Sequence, residues 1–343
     1  MTVVFGLCVI LLAVLILPFF SKKVEANLEV FLFVMGVAAA LVSRQMSWHL
    51  GYEALYEPLP ITAAVLVFGF VFKWSRPVLD KAVTFGLLTT SIPVFVFCLI
   101  VLLGAAASII TAIIASLILV EVISMLKLNK KHETDLVILA CFAIGLGAVL
   151  TPIGEPLSTI AIAKLKSWPA VDFWYLARLL GWEVGGGVLA IAVLSLFFHG
   201  RLSSSGLEAL REEREEPYKQ IILRAGKVYL FVMALVFLGQ GFKPVIDQYV
   251  IQLSANFLYW INITSAILDN ATLTAAEISA SMSPVQVKKI LMGLLLSGGM
   301  LIPGNIPNII AASKLNITMK DWAKLGVPLG LVLMAVYFIL LNL

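Results

Sequence analysis

The sequence predicts an all-α polytopic membrane protein built from two inverted repeats, each with a re-entrant helical hairpin and a broken transmembrane helix. The first observation is composition: 61% of the 343 residues are hydrophobic and 13% are charged, whereas a soluble domain carries about 25% charged residues. The second is a set of short motifs that recur in the same order in both halves of the chain. The third is a pair of proline-rich interruptions, at 151–156 and 303–307, inside long apolar runs.

The apolar runs are predicted to be helices, because lipid offers no partner for unpaired backbone groups. Two spans precede the repeats, at 3–20 and 28–42. Each repeat then has a spanning helix, a hairpin that does not cross, a broken helix and a closing helix, which gives eight crossings. The predicted pieces are 61–72, 77–126, 136–165 and 179–198 in the first repeat, and 228–238, 244–282, 287–315 and 322–341 in the second.

Three short matches support the repeats. Arg-Pro-Val-Leu-Asp at 76–80 recurs as Lys-Pro-Val-Ile-Asp at 243–247, and Ile-Ala-Ile-Ala-Lys-Leu at 160–165 recurs as Ile-Ala-Ala-Ser-Lys-Leu at 310–315. The second match also aligns Gly154 with Gly304, Glu155 with Asn305 and Ser158 with Asn308. Between them, Ala-Ser-Leu at 115–117 with Glu121 matches Ala-Thr-Leu at 271–273 with Glu277.

The orientation follows from the number of crossings and from the distribution of charge. Because each repeat crosses the membrane three times, an odd number, the second repeat starts on the opposite side from the first. Most of the 24 Lys and Arg residues collect on one face, which the positive-inside rule assigns to the cytoplasm. Both termini are then outside. The predicted organisation is a scaffold of two helices at 1–57, repeats at 58–199 and 222–343, and a cytoplasmic charged linker at 200–221. The basic residues of the other face are Arg44, Lys164, Lys166, Arg178, Lys243, Lys288 and Lys289.

Candidate ligands lie at the interruptions and at the hairpin turns, where half-helices direct backbone groups at a cavity. A carboxylate beside amides and hydroxyls suits a hard cation such as Na⁺, and a carboxyl group held out of water can exchange a proton for a cation. We expect Asp269 and Glu155 to supply the charge. The candidate residues are Thr151, Glu155 and Ser158 at the first break, Asn305 and Asn308 at the second, Ser265, Asp269, Asn270 and Thr272 at the second hairpin turn, and Thr111 at the first.

Some of these residues have a structural alternative. Asp269 and Asn270 are also suited to cap the second arm of their hairpin, and Glu155 to pair with a lysine. Glu121 and Glu277 lie about ten residues from the turns, or roughly 15 Å along a helix. We therefore expect these two glutamates near the hairpin bases rather than in the site.

Two lysines and three cysteines have structural interpretations. Lys164 and Lys314 end the second half-helices, where a long side chain anchors at the headgroups or favours the negative helix end. Cys8, Cys98 and Cys141 fall inside apolar runs and form neither a disulfide framework nor a metal-ligand spacing.

A family resemblance is carried by Ser-Ala-Ile-Leu-Asp-Asn at 265–270, followed by Gly-Gly at 298–299 and Pro-Gly-Asn at 303–305. These segments resemble the NhaD/ArsB side of the ion transporter superfamily, especially its small predicted cation transporters of the Na⁺/H⁺ antiporter-like kind. The resemblance implies a homodimer, an elevator movement of the hairpins and broken helices, and Na⁺ ligands at Asp269, Asn270 and Asn305. The paired Ser-Asn-Thr signatures of the superfamily's dicarboxylate carriers are absent from the sequence.

We therefore expect a secondary active transporter of a small cation, with Na⁺/H⁺ antiport as the first hypothesis and no cofactor beyond these ions. The alternative is a Na⁺-coupled transporter of a small carboxylate or oxyanion held by half-helix N-termini. A channel is also compatible with the sequence, although paired interruptions favour alternating access. We do not expect an enzyme, because no H-E-x-x-H or G-x-S-x-G motif occurs. The expected location is a prokaryotic inner membrane, with lipid and a second copy as partners and no nucleic acid.

Overall fold

The computed structural model of the chain describes residues 2–126, 128–198, 218–245, 248–249, 253–268 and 270–343, and this part is helical with short connections. The helices of the first half are α1 (Thr2–Phe20), α2 (Lys22–Ala26), α3 (Leu28–Val42), α4 (Trp48–Tyr56), α5 (Pro58–Thr89), α6 (Ile92–Ile110), α7 (Ala112–Met125), α8 (Lys130–Ala148), α9 (Pro156–Lys164) and α10 (Tyr175–Ser195). Those of the second half are α11 (Tyr218–Val245), α12 (Ala255–Ile261), α13 (Asn270–Glu277), α14 (Pro284–Gly298), α15 (Ile306–Leu315) and α16 (Met319–Leu340). Most of the predicted linker lies outside the described residues.

Length and composition make part of this fold compatible with an integral membrane protein. In the described part of the chain, six segments are long and apolar enough to cross a bilayer. The sequence predicts eight crossings. Three of these are not among the six segments, namely the two interrupted helices and α3 with its 15 residues, whereas α6, predicted as a hairpin arm, is itself long enough to span. The six segments are Val3–Phe20, Trp48–Val71, Ile92–Ile110, Tyr175–Ser195, Tyr218–Val245 and Met319–Leu340.

Two predicted helix ends are wrong. The sequence predicts that the first spanning helix ends at Phe72, before Pro77, but α5 continues through Pro77 to Thr89. Likewise, α11 continues beyond Leu238 and includes Pro244. One proline removes only one backbone donor from a long helix, and neighbouring helices compensate for that loss. The next helices therefore begin later than predicted, at Ile92 and Ala255.

The interior is formed by α8 and α14. Every residue of α8 from Leu136 to Ala148 is buried, as is every residue of α14 from Ile290 to Gly298. α8 ends at Ala148 and α14 at Gly298, three and five residues before the predicted interruptions begin, and polar residues that follow them, such as Thr151, Glu155 and Asn305, are buried.

The two halves pack through matched partners. The helix α6 packs against α8 as α12 packs against α14, and α10 packs against α8 as α16 packs against α14. The contact of α7 with α5 likewise corresponds to that of α13 with α11. Between the halves the packing is reciprocal, because α7 contacts α15 and α13 contacts α9.

Candidate functional site

The first interruption separates α8 from α9. The chain leaves helical conformation after Ala148 and resumes it at Pro156, with Glu155 in extended conformation as the N-cap. A Cβ atom at Gly154 would overlap the carbonyl oxygen of Ala148, so the chain returns close to the end of α8 and only glycine fits there. The chain therefore reverses sharply at the predicted break at 151–156, where Thr151, Gly154 and Glu155 are buried and Ile153 is exposed.

The turn between α6 and α7 is bonded to this break. The backbone N–H of Ala112 donates to the carbonyl oxygen of Gly154 at 2.9 Å, and the Thr151 hydroxyl donates to the carbonyl oxygen of Ser108. Thr111, the single residue between the two helices, is half-buried, and its Oγ1 accepts from the N–H of Ile114 at 3.3 Å. Backbone and hydroxyl groups of the turn and of the first break are thus hydrogen-bond partners of each other.

The second interruption separates α14 from α15 and contains a short 3₁₀ turn, Ile302–Gly304. Asn308 holds it together: its side-chain nitrogen donates to the carbonyl oxygens of Gly298 at 2.8 Å and Leu301 at 2.9 Å. Asn305, in extended conformation, is the N-cap of α15. The side-chain N–H groups of the predicted ligand Asn308 therefore both donate to the backbone of the break, and only its side-chain oxygen remains for other contacts.

The segment between α12 and α13 packs onto this second break. A Cβ atom at Gly304 would lie 2.8 Å from the carbonyl oxygen of Ser265, and one at Gly298 would lie 2.7 Å from the Asn270 side-chain nitrogen. The Ser265 hydroxyl donates to the side-chain oxygen of Asn270. Ser265 and Asn270 are thus placed together against the second interruption.

The second break also touches the middle of the first broken helix. A Cβ atom at Gly145 would lie 2.6 Å from the side-chain nitrogen of Asn305, and the aromatic ring of Phe142 covers Gly299. The Cys141 thiol donates to the carbonyl oxygen of Pro307 at 3.7 Å. The amide of Asn305 therefore reaches across to α8, which joins the second break to the first broken helix.

The predicted site residues are distributed as follows. Thr151, Glu155, Ser158, Ser265, Asn270, Asn305 and Asn308 are all buried. The Ser158 hydroxyl donates to the carbonyl oxygen of Glu155 at 2.7 Å, within the first turn of its own helix. Asp269 and the side chain of Thr272 lie outside the described residues, so the role of Asp269 stays a prediction. The arrangement offers hydroxyl, amide and carboxylate oxygens, the ligands of a hard cation. In the described part of the chain, three or more His, Cys, Asp or Glu side chains do not gather as they would around a transition metal.

Sequence reasoning placed Glu121 and Glu277 at the hairpin bases and missed their burial. Glu121 forms an ion pair of 3.5 Å with Lys314, and both side chains are mostly buried, at 8% and 14% exposure. Lys314 thus lies in the interior, whereas the matched Lys164 is exposed. Glu277 is the last residue of α13 and is 1% exposed. The spacing of Asn270, Thr274 and Glu277, four and three residues apart, is the signal that was available, because it puts all three on one helix face.

A cavity of about 440 Å³ lies beside the second broken helix. It is bounded by α11, by the start of α3 and by α15 with the residues that follow it. Its charged lining comprises Arg224, Lys227, Lys314, Glu25 and Glu29. Lys227 pairs with Glu29 at 3.2 Å, so one of the carboxylates is already neutralised.

The helical fold with six segments of spanning length and two buried interruptions defines a class: helical proteins with the features of an integral membrane protein. The chain belongs to the family described as protein of unknown function (DUF1646), whose model matches residues 4–343. A comparison with curated proteins found no match.

Proposed function

We propose that the protein is a secondary active transporter of a small cation and that it works by Na⁺/H⁺ antiport. The observation that carries the proposal is a pair of interrupted helices that have buried polar residues at both breaks, together with the contact of Asn305 in the second break with α8. Irregular backbone at membrane depth is tolerated only where protein buries it or where it lines a cavity. Transporters use this arrangement to hold ions at the ends of half-helices.

The proposed binding set combines the residues of the second turn with those of the two breaks. Asp269, Asn270 and Asn305 are the proposed Na⁺ ligands, with Ser265, Thr272 and Asn308 beside them. The contacts of Ser265 and Asn270 with the second break support this grouping. Na⁺ and H⁺ are the transported ions, and the proposal requires no other cofactor.

The matched packing of the two halves supports two structural repeats, which the sequence predicts to be inverted. In this proposal α6 with α7 and α12 with α13 are the hairpins, and the hairpins with the broken helices form a domain that slides as an elevator within a homodimer. The proposed setting is a prokaryotic inner membrane with both termini outside, as the distribution of Lys and Arg predicts.

An ion pair formed at one of two matched contacts between the halves favours alternating access over a static pore. At one contact between halves, Glu121 of α7 pairs with Lys314 of α15. At the matched contact, between α13 and α9, Glu277 is buried while Lys164 is exposed. If the two halves exchange conformations, a second state of similar energy is expected. In that state Glu277 pairs with Lys164, and the ion pair between Glu121 and Lys314 is broken.

A second candidate is Na⁺-coupled transport of a small anion. The observation in its favour is the cavity beside α15, whose lining includes the basic side chains of Arg224, Lys227 and Lys314, although Lys227 and Lys314 are paired with Glu29 and Glu121. A carboxylate or oxyanion is the class of substrate that such a lining would attract.

The test is transport by the purified protein in liposomes. A Na⁺ gradient is expected to drive proton movement, and a pH gradient is expected to drive uptake of labelled Na⁺. Asp269→Asn is expected to abolish both, while the exposed carboxylate control Asp321→Asn is expected to retain them. Proton movement that persists in Asp269→Asn would show that another group carries the coupling. Uptake of a labelled carboxylate or oxyanion driven by Na⁺, without proton movement, would favour the second candidate.

A further inference from the structure

A polar face on α13 continues away from the two breaks. Asn270, Thr274 and Glu277 lie four and three residues apart, so their side chains project from one side of the helix. All three are buried, with Thr274 at 0% and Glu277 at 1% exposure. Asn262, also at 0%, lies next to Glu277 on the preceding 3₁₀ turn.

Several oxygen atoms at this face lack a hydrogen bond of ordinary length among the residues that the structure describes. They are both carboxylate oxygens of Glu277, Oγ1 of Thr274 and Oδ1 of the neighbouring Asn262, and all are buried. The Asn262 side chain interacts with the Glu277 carboxylate at longer range. The side-chain nitrogen of Asn262 donates to the carbonyl oxygen of Ile290 at 3.3 Å, so it is the side-chain oxygen of Asn262 that remains without a hydrogen bond in the described part of the chain. Buried polar atoms in native proteins are almost always paired, and a group of exceptions in one place requires an explanation.

The helices packed against α13 are α9, α11 and α14. On α14, Lys288 pairs with Glu183, and Lys289 is bonded to Asn256 and Asn342. Lys227 of α11 pairs with Glu29. The remaining titratable side chains on these three helices are Lys164, Tyr218, Lys219, Arg224, Tyr229 and Lys243. The contacts that the structure gives Lys227, Lys288 and Lys289 direct these lysines to groups other than Glu277.

We propose that Glu277, together with Thr274 and Asn262, binds a small monovalent cation, either a proton or Na⁺. A bare carboxylate removed from water is very costly unless a positive charge or a proton neutralises it. Two carboxylate oxygens, a hydroxyl oxygen and an amide oxygen form the oxygen-only donor set of a hard cation. This inference rests on the proposed transport function for the role of the bound ion, but not for the binding itself.

The experiment measures binding rather than transport. Purified protein in nanodiscs is titrated with radioactive Na⁺ at several pH values, and a pH indicator in weak buffer follows protons released when Na⁺ is added. Infrared difference spectra between acidic and alkaline pH detect a protonated carboxyl group. Glu277→Gln keeps the size of the side chain and removes its charge. Glu183→Gln is the matched control, because its carboxylate already pairs with Lys288.

Binding of Na⁺ and binding of a proton at Glu277 give different results in this experiment. If Na⁺ binds at Glu277, Glu277→Gln and Thr274→Val should each weaken Na⁺ binding about tenfold or more. If the ligand is a proton, Glu277→Gln should keep Na⁺ binding but lose both the infrared carboxyl band and the corresponding proton release. Glu183→Gln should change neither result. Equal Na⁺ affinity, proton release and carboxyl band in wild type and Glu277→Gln would overturn the proposal.

Further outcomes separate this inference from the proposed function. One such outcome is that the wild-type protein transports no ions, while its infrared carboxyl band disappears in Glu277→Gln. That outcome would support the site and contradict antiport. If Glu277→Gln does not fold, Thr274→Val answers the same question, because valine has nearly the shape of threonine and Glu277 is retained. Unchanged Na⁺ affinity together with an unchanged pH of proton release in Thr274→Val would then contradict the proposal.

Discussion

Gly147 marks a close approach of α8 to α6 in the protein's interior. A Cβ atom there would overlap the carbonyl oxygen of Gly104 in α6. The obstacle is backbone rather than a flexible side chain, so one of the two helices would have to shift. A Cβ atom at Gly104 would in turn lie 2.9 Å from a side-chain methyl group of Val188 in α10. Small residues of this kind are what allow membrane helices to pack closely.

We expect Gly147→Ala to lower the free energy of unfolding by about 1–3 kcal/mol, because overpacking forces backbone movement. The control is Gly181→Ala in α10, where nothing lies within 4 Å of the added atom. Alanine is the better helix former by about 1 kcal/mol, so this control should be neutral or stabilising. Thermal unfolding in detergent, followed by tryptophan fluorescence, measures both, and equal midpoints would contradict the close approach.

Residues of the site show what local sequence can predict. The prolines and polar residues near 151–156 and 303–307 indicate interruptions because the lost donors and the preferred caps are properties of a few neighbouring residues. The bonds of Asn308 to Gly298 and Leu301 are likewise short-range. The contact of Asn305 with Gly145 was not predictable in this way, because it joins the two halves of the chain.

At the scale of elements, Thr111 controls the turn between α6 and α7. Its backbone has φ 75° and ψ 150°, a region that is essentially restricted to glycine and that costs about 1–3 kcal/mol for other residues. Thr111 compensates in part, since its hydroxyl oxygen caps α7. Thr318 caps α16 in the same way but with an ordinary φ of −78°.

Replacing the two threonines by glycine should therefore have opposite effects. Thr111→Gly is expected to stabilise the protein by about 1 kcal/mol, because relief of strain exceeds the lost cap. Thr318→Gly is expected to destabilise it by about 1 kcal/mol, because it loses a cap and gains freedom in the unfolded chain. The measurement is the shift in the unfolding midpoint. A loss of stability in Thr111→Gly as large as that in Thr318→Gly would show that the turn is not strained.

At the scale of the whole molecule, the ion pair between Glu121 and Lys314 connects the two halves. The carboxylate comes from α7 and the ammonium group from α15, and both are mostly buried. Removing one member of a buried pair leaves a charge out of water, which costs far more than loss of an exposed pair.

Each single change, Glu121→Gln or Lys314→Met, should destabilise the protein by about 3 kcal/mol. The double variant should cost clearly less than the sum, because no charge is then left without its counterpart. The exposed pair of Asp321 with Lys324 at 2.7 Å is the control, and its disruption should change stability by less than about 1 kcal/mol. Additive effects of Glu121→Gln and Lys314→Met would mean that the two groups do not interact in the folded protein.

The sequence by itself determined the helical class, the long apolar segments and the two interruptions. These features depend on hydropathy and on backbone chemistry within about twenty residues, which is the range over which a helix forms and ends. Its prediction of helix ends at Pro77 and Pro244 was wrong, because packing of neighbouring helices compensates for one missing donor.

Only the tertiary structure decided which buried charges are paired. Glu121 and Glu277 occupy matched positions in the sequence, yet Glu121 pairs with Lys314, whereas Glu277 forms no ion pair among the residues that the structure describes. Lys314 lies far from Glu121 along the chain, so no local pattern distinguishes the two glutamates. The difference arises from how the halves are placed against each other, since burial and pairing are properties of the surroundings rather than of the residue.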